Sequence, residues 1–296
     1  MLENIQRWIK QHPLITFFLL AYGISWSLGG LLIARRNGWL EVPEGIHYLI
    51  AFGPLIASVI VTAVMHGRSG LVDLWSRITR WRVGWLWLII GCLSPLILFL
   101  MAMLISFVAT GKWPDFALFA KVNYLGIIGI PAAFLLWLAT FGFGEEIGWR
   151  GFALPQLQQR FGLLTSALIL GVFWALWHLP QFFYHEPFMA MGIGGFVGFA
   201  ISIIMGSILL AWLYNHANAS ILVVALWHGC FDFLTSPMAK EPIAALMSMA
   251  VIVWVIAIIV AMLRRRTNGV SADSVLSVQT HTTNYRDTNK VARGKA

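Results

Sequence analysis

The chain has 296 residues, 59% of them hydrophobic and only 11% charged, with a formal net charge of +8. Soluble domains run at roughly 45–50% apolar and 25% charged, so a water-soluble globule of this length has no way to hide so much apolar surface. The basic excess sits in loops and the tail, which fits positive-inside topology and anionic lipid and argues against nucleic-acid binding.

A spanning helix needs ~20 mostly apolar residues. Taken in chain order, such runs fall at about 13–34, 46–65, 84–108, 124–144, 163–179, 192–214, 219–235 and 243–263. The first follows Lys10 and has the look of a signal peptide, but its length and the Arg35-Arg36 pair behind it favour an uncleaved span. Segment 68–83 sets Leu71, Leu74, Trp75 and Ile78 among arginines, the pattern of a short amphipathic interfacial helix or, nearly as well, of a solvated basic loop. The last thirty residues, 267–296, are rich in Ser, Thr, Asn and charge and have little to bury, so a disordered cytoplasmic tail is expected.

The expected fold is all-α: a polytopic membrane helix bundle of about eight transmembrane helices, one domain over 1–266, without internal repeats. Arg7, Lys10, Arg68, Arg77, Arg80, Arg82, Arg150, Arg160 and Arg264 to Arg266 collect on the side of the N-terminus. Arg35, Arg36, Lys112, Lys121 and Lys240 fall on the other. That asymmetry predicts cytoplasmic N- and C-termini. With eight spans it also sets the glutamate pair described next near the cytoplasmic mouth. The short loops and basic tail suggest a bacterial plasma membrane.

Gly144-Glu145-Glu146-Ile147-Gly148-Trp149-Arg150-Gly151 ends the fourth apolar run. Ionisable groups at membrane depth cost a few kcal/mol each and mark function more often than accident. Glu146 and Arg150 are four apart and can pair on one helical face. Glu145 points about a hundred degrees away and is free to face a cavity as a general base. A glutamate pair at a helix end is equally at home among lipid headgroups, so the histidines decide. Trp174 and His178 are four apart, as are His228 and Asp232, and each pair shares a face. Asp232 can orient His228, or bind a reacting oxygen when protonated.

Other chemistries fail at the level of residues. His185-Glu186 is followed by Pro187 and then Met189, so there is no H-E-x-x-H metal helix; no G-x-S-x-G elbow or glycine-rich phosphate loop is present. Cys92 and Cys230 lie in apolar segments and support neither a disulfide framework nor a thiolate metal site. A proton-relay transporter using Glu145, Glu146 and Asp232 would want charges distributed through the bundle and repeat symmetry, and neither is visible.

Glu145-Glu146-x-x-x-Arg150, Trp174-x-x-x-His178 and His228-x-x-x-Asp232, in that order, resemble the CAAX protease and bacteriocin-processing family of intramembrane endopeptidases. The likeness extends through Trp149–Pro155 and Trp177-His178-Leu179-Pro180 and covers a core at about 124–235. Two positions depart from the family pattern: Trp174 stands where Phe is usual, a change that keeps an aromatic packing role, and Asp232 where Asn is common. The resemblance implies that Glu145 activates a water with His178 assisting, while His228 and Asp232 stabilise the oxyanion or hold a metal. It leaves two chemistries open: a zinc held by His178, His228 and a carboxylate, which the metalloprotease label favours, or a metal-free glutamate mechanism. It implies a peptide or membrane-protein substrate, a bacteriocin precursor rather than a prenylated protein. Some relatives act in bacteriocin immunity, so a non-catalytic immunity or scaffold protein is the rival reading.

Overall fold

The computed structural model describes residues 2–239 and 242–260. The expected tail, Lys240, Arg264 to Arg266 and the end of the eighth run lie outside the described residues. The chain divides into two compact units, Met1–Ile252 and Val253–Ala296, and the site lies wholly in the first.

Among the described residues eight helices are long and apolar enough to cross a membrane: Pro13–Arg36, Phe52–Ile78, Trp85–Thr110, Ile130–Gln158, Leu163–Phe183, Gly194–His216, Ile221–Met238 and Pro242–Val260. The all-α bundle is therefore as expected; the sole sheet among the described residues is a hairpin pairing Lys121–Val122 with Gly126–Ile127. Large apolar side chains such as Leu19, Leu104 and Val108 remain exposed on the outer faces, as helices solvated by lipid require.

Three elements differ from the sequence reading, each for a physical reason. The fourth helix was expected at 124–144, because Glu145, Glu146 and Arg150 interrupt the apolar run. It spans Ile130–Gln158, since those groups are buried and Glu146 pairs with Arg150 inside the protein. Segment 68–83 is helical only to Ile78, as the continuation of the second span past a kink at Gly67 (φ +60°). It is anchored rather than loose. Leu74 is buried, and Arg77 Nη1 donates to Gly151 O at 2.7 Å and Tyr214 Oη at 3.0 Å. The third is a ten-residue helix, Leu2–Gln11, before the first span; a search for ~20-residue runs passes over it.

Two close approaches set the bundle round the fourth span. A Cβ on Gly148 would lie 2.4–2.6 Å from Pro54 of the second span, and one on Gly142 would lie 2.7 Å from Ala225 O of the seventh. Glycine lets both neighbours reach the backbone. The first and fifth spans are tied by Tyr22 Oη donating to Phe173 O and by Trp26 Nε1 donating to Trp177 O at 3.1 Å. Pro180, with no N–H to offer, ends the regular helix behind Trp177, and the chain tightens into a 3₁₀ turn over Leu179–Phe183.

Gly148→Ala should force the second and fourth spans apart at a cost of about 2 kcal/mol, in the range of core overpacking. Thermal unfolding in detergent should show a lowered midpoint for this variant. Gly30→Ala, with nothing within 4 Å of its new methyl group, should leave the midpoint unchanged or slightly raised.

Candidate functional site

The fourth span is not regular where the glutamates lie. Widened π-helical turns over Leu138–Glu145 and Trp149–Ala153 flank a short α-turn at Glu146–Gly148, a local distortion frequent at functional sites. Both carboxylates point into protein: Glu145 is 1% and Glu146 0% exposed.

Glu146 is the hub. Its Oε1 accepts from Arg150 Nη1 at 2.7 Å and faces His228 Nδ1 at 2.9 Å. The Arg150 guanidinium lies 4.3 Å above the Trp174 ring, a cation–π contact within a fully desolvated shell. The expected Glu146–Arg150 pair is present. The share of His228 in it had no local signal, because the partner is 82 residues away.

Glu145 has no cation beside it, as expected, yet it is not unpartnered. Its Oε2 accepts from Trp174 Nε1 at 2.6 Å and from Trp149 Nε1 at 3.2 Å. Trp174 therefore does more than pack: its indole N–H holds the carboxylate, which phenylalanine at that position cannot do. Trp149 was missed as a site residue, although its spacing of four from Glu145 places both on one helical face. Oε1 of Glu145 has no protein partner and is not sealed in the packing.

The remaining expected residues gather on the same wall. Glu145, Trp174, His178, His228 and Asp232 all line one cavity of about 680 Å³ with a largely apolar surface. His178 Nδ1 lies 2.7 Å from Trp174 O, and a carbonyl only accepts, so the proton is on Nδ1 and the neutral ring carries its lone pair on Nε2. His228 is gripped at both ends, by Glu146 on Nδ1 and by Asp232 Oδ2 at 3.3 Å from Nε2. Asp232, with its side chain 27% exposed, is the wettest member. Glu186, another acid of the apolar stretches, borders a separate cavity and is not part of this group.

The cavity does not open where expected. Glu145 lies in the middle of its span, and the cavity reaches His47, His185, Ser236 and Ala239, in or beside the connectors that follow the first, fifth and seventh spans. Those connectors share the face opposite the N-terminal helix. The basic connectors meet on the other face, where Arg80 Nη1 donates to Asn218 O at 2.8 Å. The glutamate pair thus lies mid-span, and the cavity extends from it toward the connector face opposite the N-terminal helix.

The donor set does not fit a zinc ion. A metal needs ring lone pairs, and both nitrogens of His228 are already turned to carboxylate oxygens. Among the described residues no three His, Cys, Asp or Glu side chains are grouped as ligands. Of the two histidines beside Glu145, it is His178 whose Nε2 has no protein partner among the described residues.

Residues 127–234 match a family model described as type II CAAX prenyl endopeptidase Rce1-like. The chain is also 28% identical over 233 residues to CAAX prenyl protease 2 of Methanococcus maripaludis, covering 74% of this chain and 82% of that protein. Over that stretch the chain is similar to the Rce1-like CAAX proteases. Both likenesses are to intramembrane proteases, and the matched stretch holds every residue of the glutamate–histidine wall.

Glu146→Gln should leave Arg150 as a buried cation without its counter-charge, a loss on the order of 3–5 kcal/mol. The measurable result is a large drop in thermal stability in detergent, or failure to recover monodisperse protein. Asp232→Asn, at the wet edge of the network, should lower the midpoint far less.

Proposed function

We propose that this chain cleaves a peptide bond of a lipid-modified, CAAX-type substrate within the membrane, with Glu145 as general base and without a bound metal. The observation that carries the reading is the position of Glu145 Oε1, unpartnered, on the same cavity wall as the free Nε2 of His178. Glu145 Oε1 takes a proton from a water as its oxygen attacks the scissile carbonyl carbon, while the water's other O–H stays intact and donates a hydrogen bond to His178 Nε2. The tetrahedral oxyanion receives the Nε2–H of His228, which at 3.3 Å is only loosely engaged by Asp232 and can turn to a better acceptor. Glu145 then returns its proton to the leaving nitrogen as the C–N bond breaks.

The two indoles on Oε2 support this assignment, since they orient the carboxylate while leaving its other oxygen for the reaction. The network behind His228 supports its role in the same way, as second partners commonly fix a reacting imidazole. The likeness to a CAAX prenyl protease of Methanococcus maripaludis supports a prenylated substrate over a bacteriocin precursor. The apolar lining of the cavity suits a lipidated peptide as well.

General base catalysis is worth typically 10²–10⁴-fold. Glu145→Gln, close to isosteric and still able to accept from both tryptophans, should cut cleavage of a prenylated CAAX peptide by at least about a hundredfold. A variant that cleaves as fast as the parent overturns the proposal. Asp232→Asn should retain activity within about tenfold, because its amide oxygen still accepts from His228 and a released amide can also donate to an oxyanion.

A further inference from the structure

A second set of polar side chains stands on the same cavity, away from the glutamates. His47 and His185 stack with ring centroids 4.7 Å apart and are 4% and 7% exposed. Each is pinned by a tyrosine: His47 Nδ1 lies 2.9 Å from Tyr184 Oη, and His185 Nδ1 lies 2.7 Å from Tyr124 Oη. Both imidazoles line the cavity that holds Glu145 and His178. Gln181, 5% exposed, also lines it, in sequence three residues after His178 and four before His185. Among the described residues its side-chain amide has no protein partner, and neither do the two Nε2 atoms; none of these is sealed in the packing.

The tyrosines decide which way the rings donate. Burial pushes the Tyr124 hydroxyl up to about 12 and raises Tyr184 further, so both keep their protons. Among the described residues the facing Nδ1 is the acceptor within reach of each hydroxyl. Burial lowers His47 to about 3 and His185 to about 4, so at neutral pH each ring is uncharged. A neutral ring that accepts at Nδ1 carries its proton on Nε2. Two N–H donors on stacked rings are thus held at the connector end of the chamber, away from the glutamates.

Tyr124 has φ +70° in the turn of the hairpin, a left-handed conformation costing an aromatic residue roughly 1–2 kcal/mol. That conformation belongs to the residue whose hydroxyl meets His185. Beyond His185 a second cavity of about 530 Å³ begins, sharing His185 and Pro187 with the first and bordered by Arg35 and Arg36. Arg35 is occupied by Glu41 and Glu44, at 2.6 and 3.2 Å.

A CAAX sequence is a C-terminal signal, so cutting it releases a short apolar peptide with a free carboxylate. We infer that the His47–His185 pair, held by Tyr184 and Tyr124, binds the terminal carboxylate of the substrate, with Gln181 contacting the peptide backbone between it and the scissile bond. This rests on the proposed CAAX substrate. The pair makes a free chain end the feature that is read and measures its distance from the cleavage point. Carboxylates bound by N–H donors in a dry site form strong hydrogen bonds, and an uncharged amide end forms weaker ones.

The test is binding of an aliphatic tripeptide, as free acid and as C-terminal amide, to the full chain in detergent. The parent should bind the acid at least about tenfold more tightly, the equivalent of one charge-assisted hydrogen bond. His185→Phe and His47→Phe keep an aromatic ring in the stack and remove the N–H, and should bring the ratio close to one. Tyr124→Phe and Tyr184→Phe, which remove a single oxygen, should reduce it without unfolding the protein. Equal affinity of the parent for acid and amide, no binding of either, or an unchanged ratio in these tyrosine variants overturns the proposal. Glu145→Gln should keep the acid preference while losing cleavage. If it cleaves normally and the preference persists, the catalytic assignment falls and the carboxylate site stands.

Discussion

A carboxylate buried within a membrane bundle has no water to fall back on, and everything at this site follows from how Glu146 meets that constraint. Its Oε1 is shared between Arg150 and His228, so one oxygen joins the fourth span to the seventh. Arg150 in turn lies on Trp174 of the fifth span. Three helices are thereby joined through a single ionic centre whose desolvation would be prohibitive if any partner left. The arrangement is not a source of cheap stability, since Arg150 Nε and Nη2 and Glu146 Oε2 have no protein partner. What it provides is one permitted position for each helix.

The adjacent glutamate is treated differently by the same local distortion. Two tryptophan N–H groups satisfy half of Glu145 and leave the other half to the cavity. Neutral donors fix a carboxylate without neutralising it, which suits a group that must take up and release a proton. Glu146, with an arginine beside it, is suited only to hold. The chemistry of the pair is divided by partners rather than by sequence, for the two residues are identical and consecutive.

The cavity has two polar ends and an apolar middle. Near mid-membrane stand the glutamate and the histidines of the core; at the connector face stand His47 and His185 on their tyrosine supports. On the proposed function the two ends read a peptide's length and its terminus, with Gln181 as a polar contact between them. Selectivity of this kind tolerates many aliphatic sequences, since a missing methylene is worth little against an unpaired buried charge.

Much of this was legible in the residues alone. Hydropathy predicts eight spans, because lipid imposes length and apolarity on any helix that crosses it, whatever it packs against. Helical spacing predicts the Glu146–Arg150 and His228–Asp232 pairs, since partners four apart need no tertiary information. The spacing also contained Trp149 beside Glu145. Hydropathy alone ended the fourth span too early, at the buried charges, because a scan cannot see that distant helices shield them. His228 on Glu146, the indole of Trp174 on Glu145, the two pinned imidazoles and the side to which the cavity opens were decided only by the tertiary structure. Each is a contact between helices or connectors far apart in the chain, and no local periodicity encodes which faces the packing brings together.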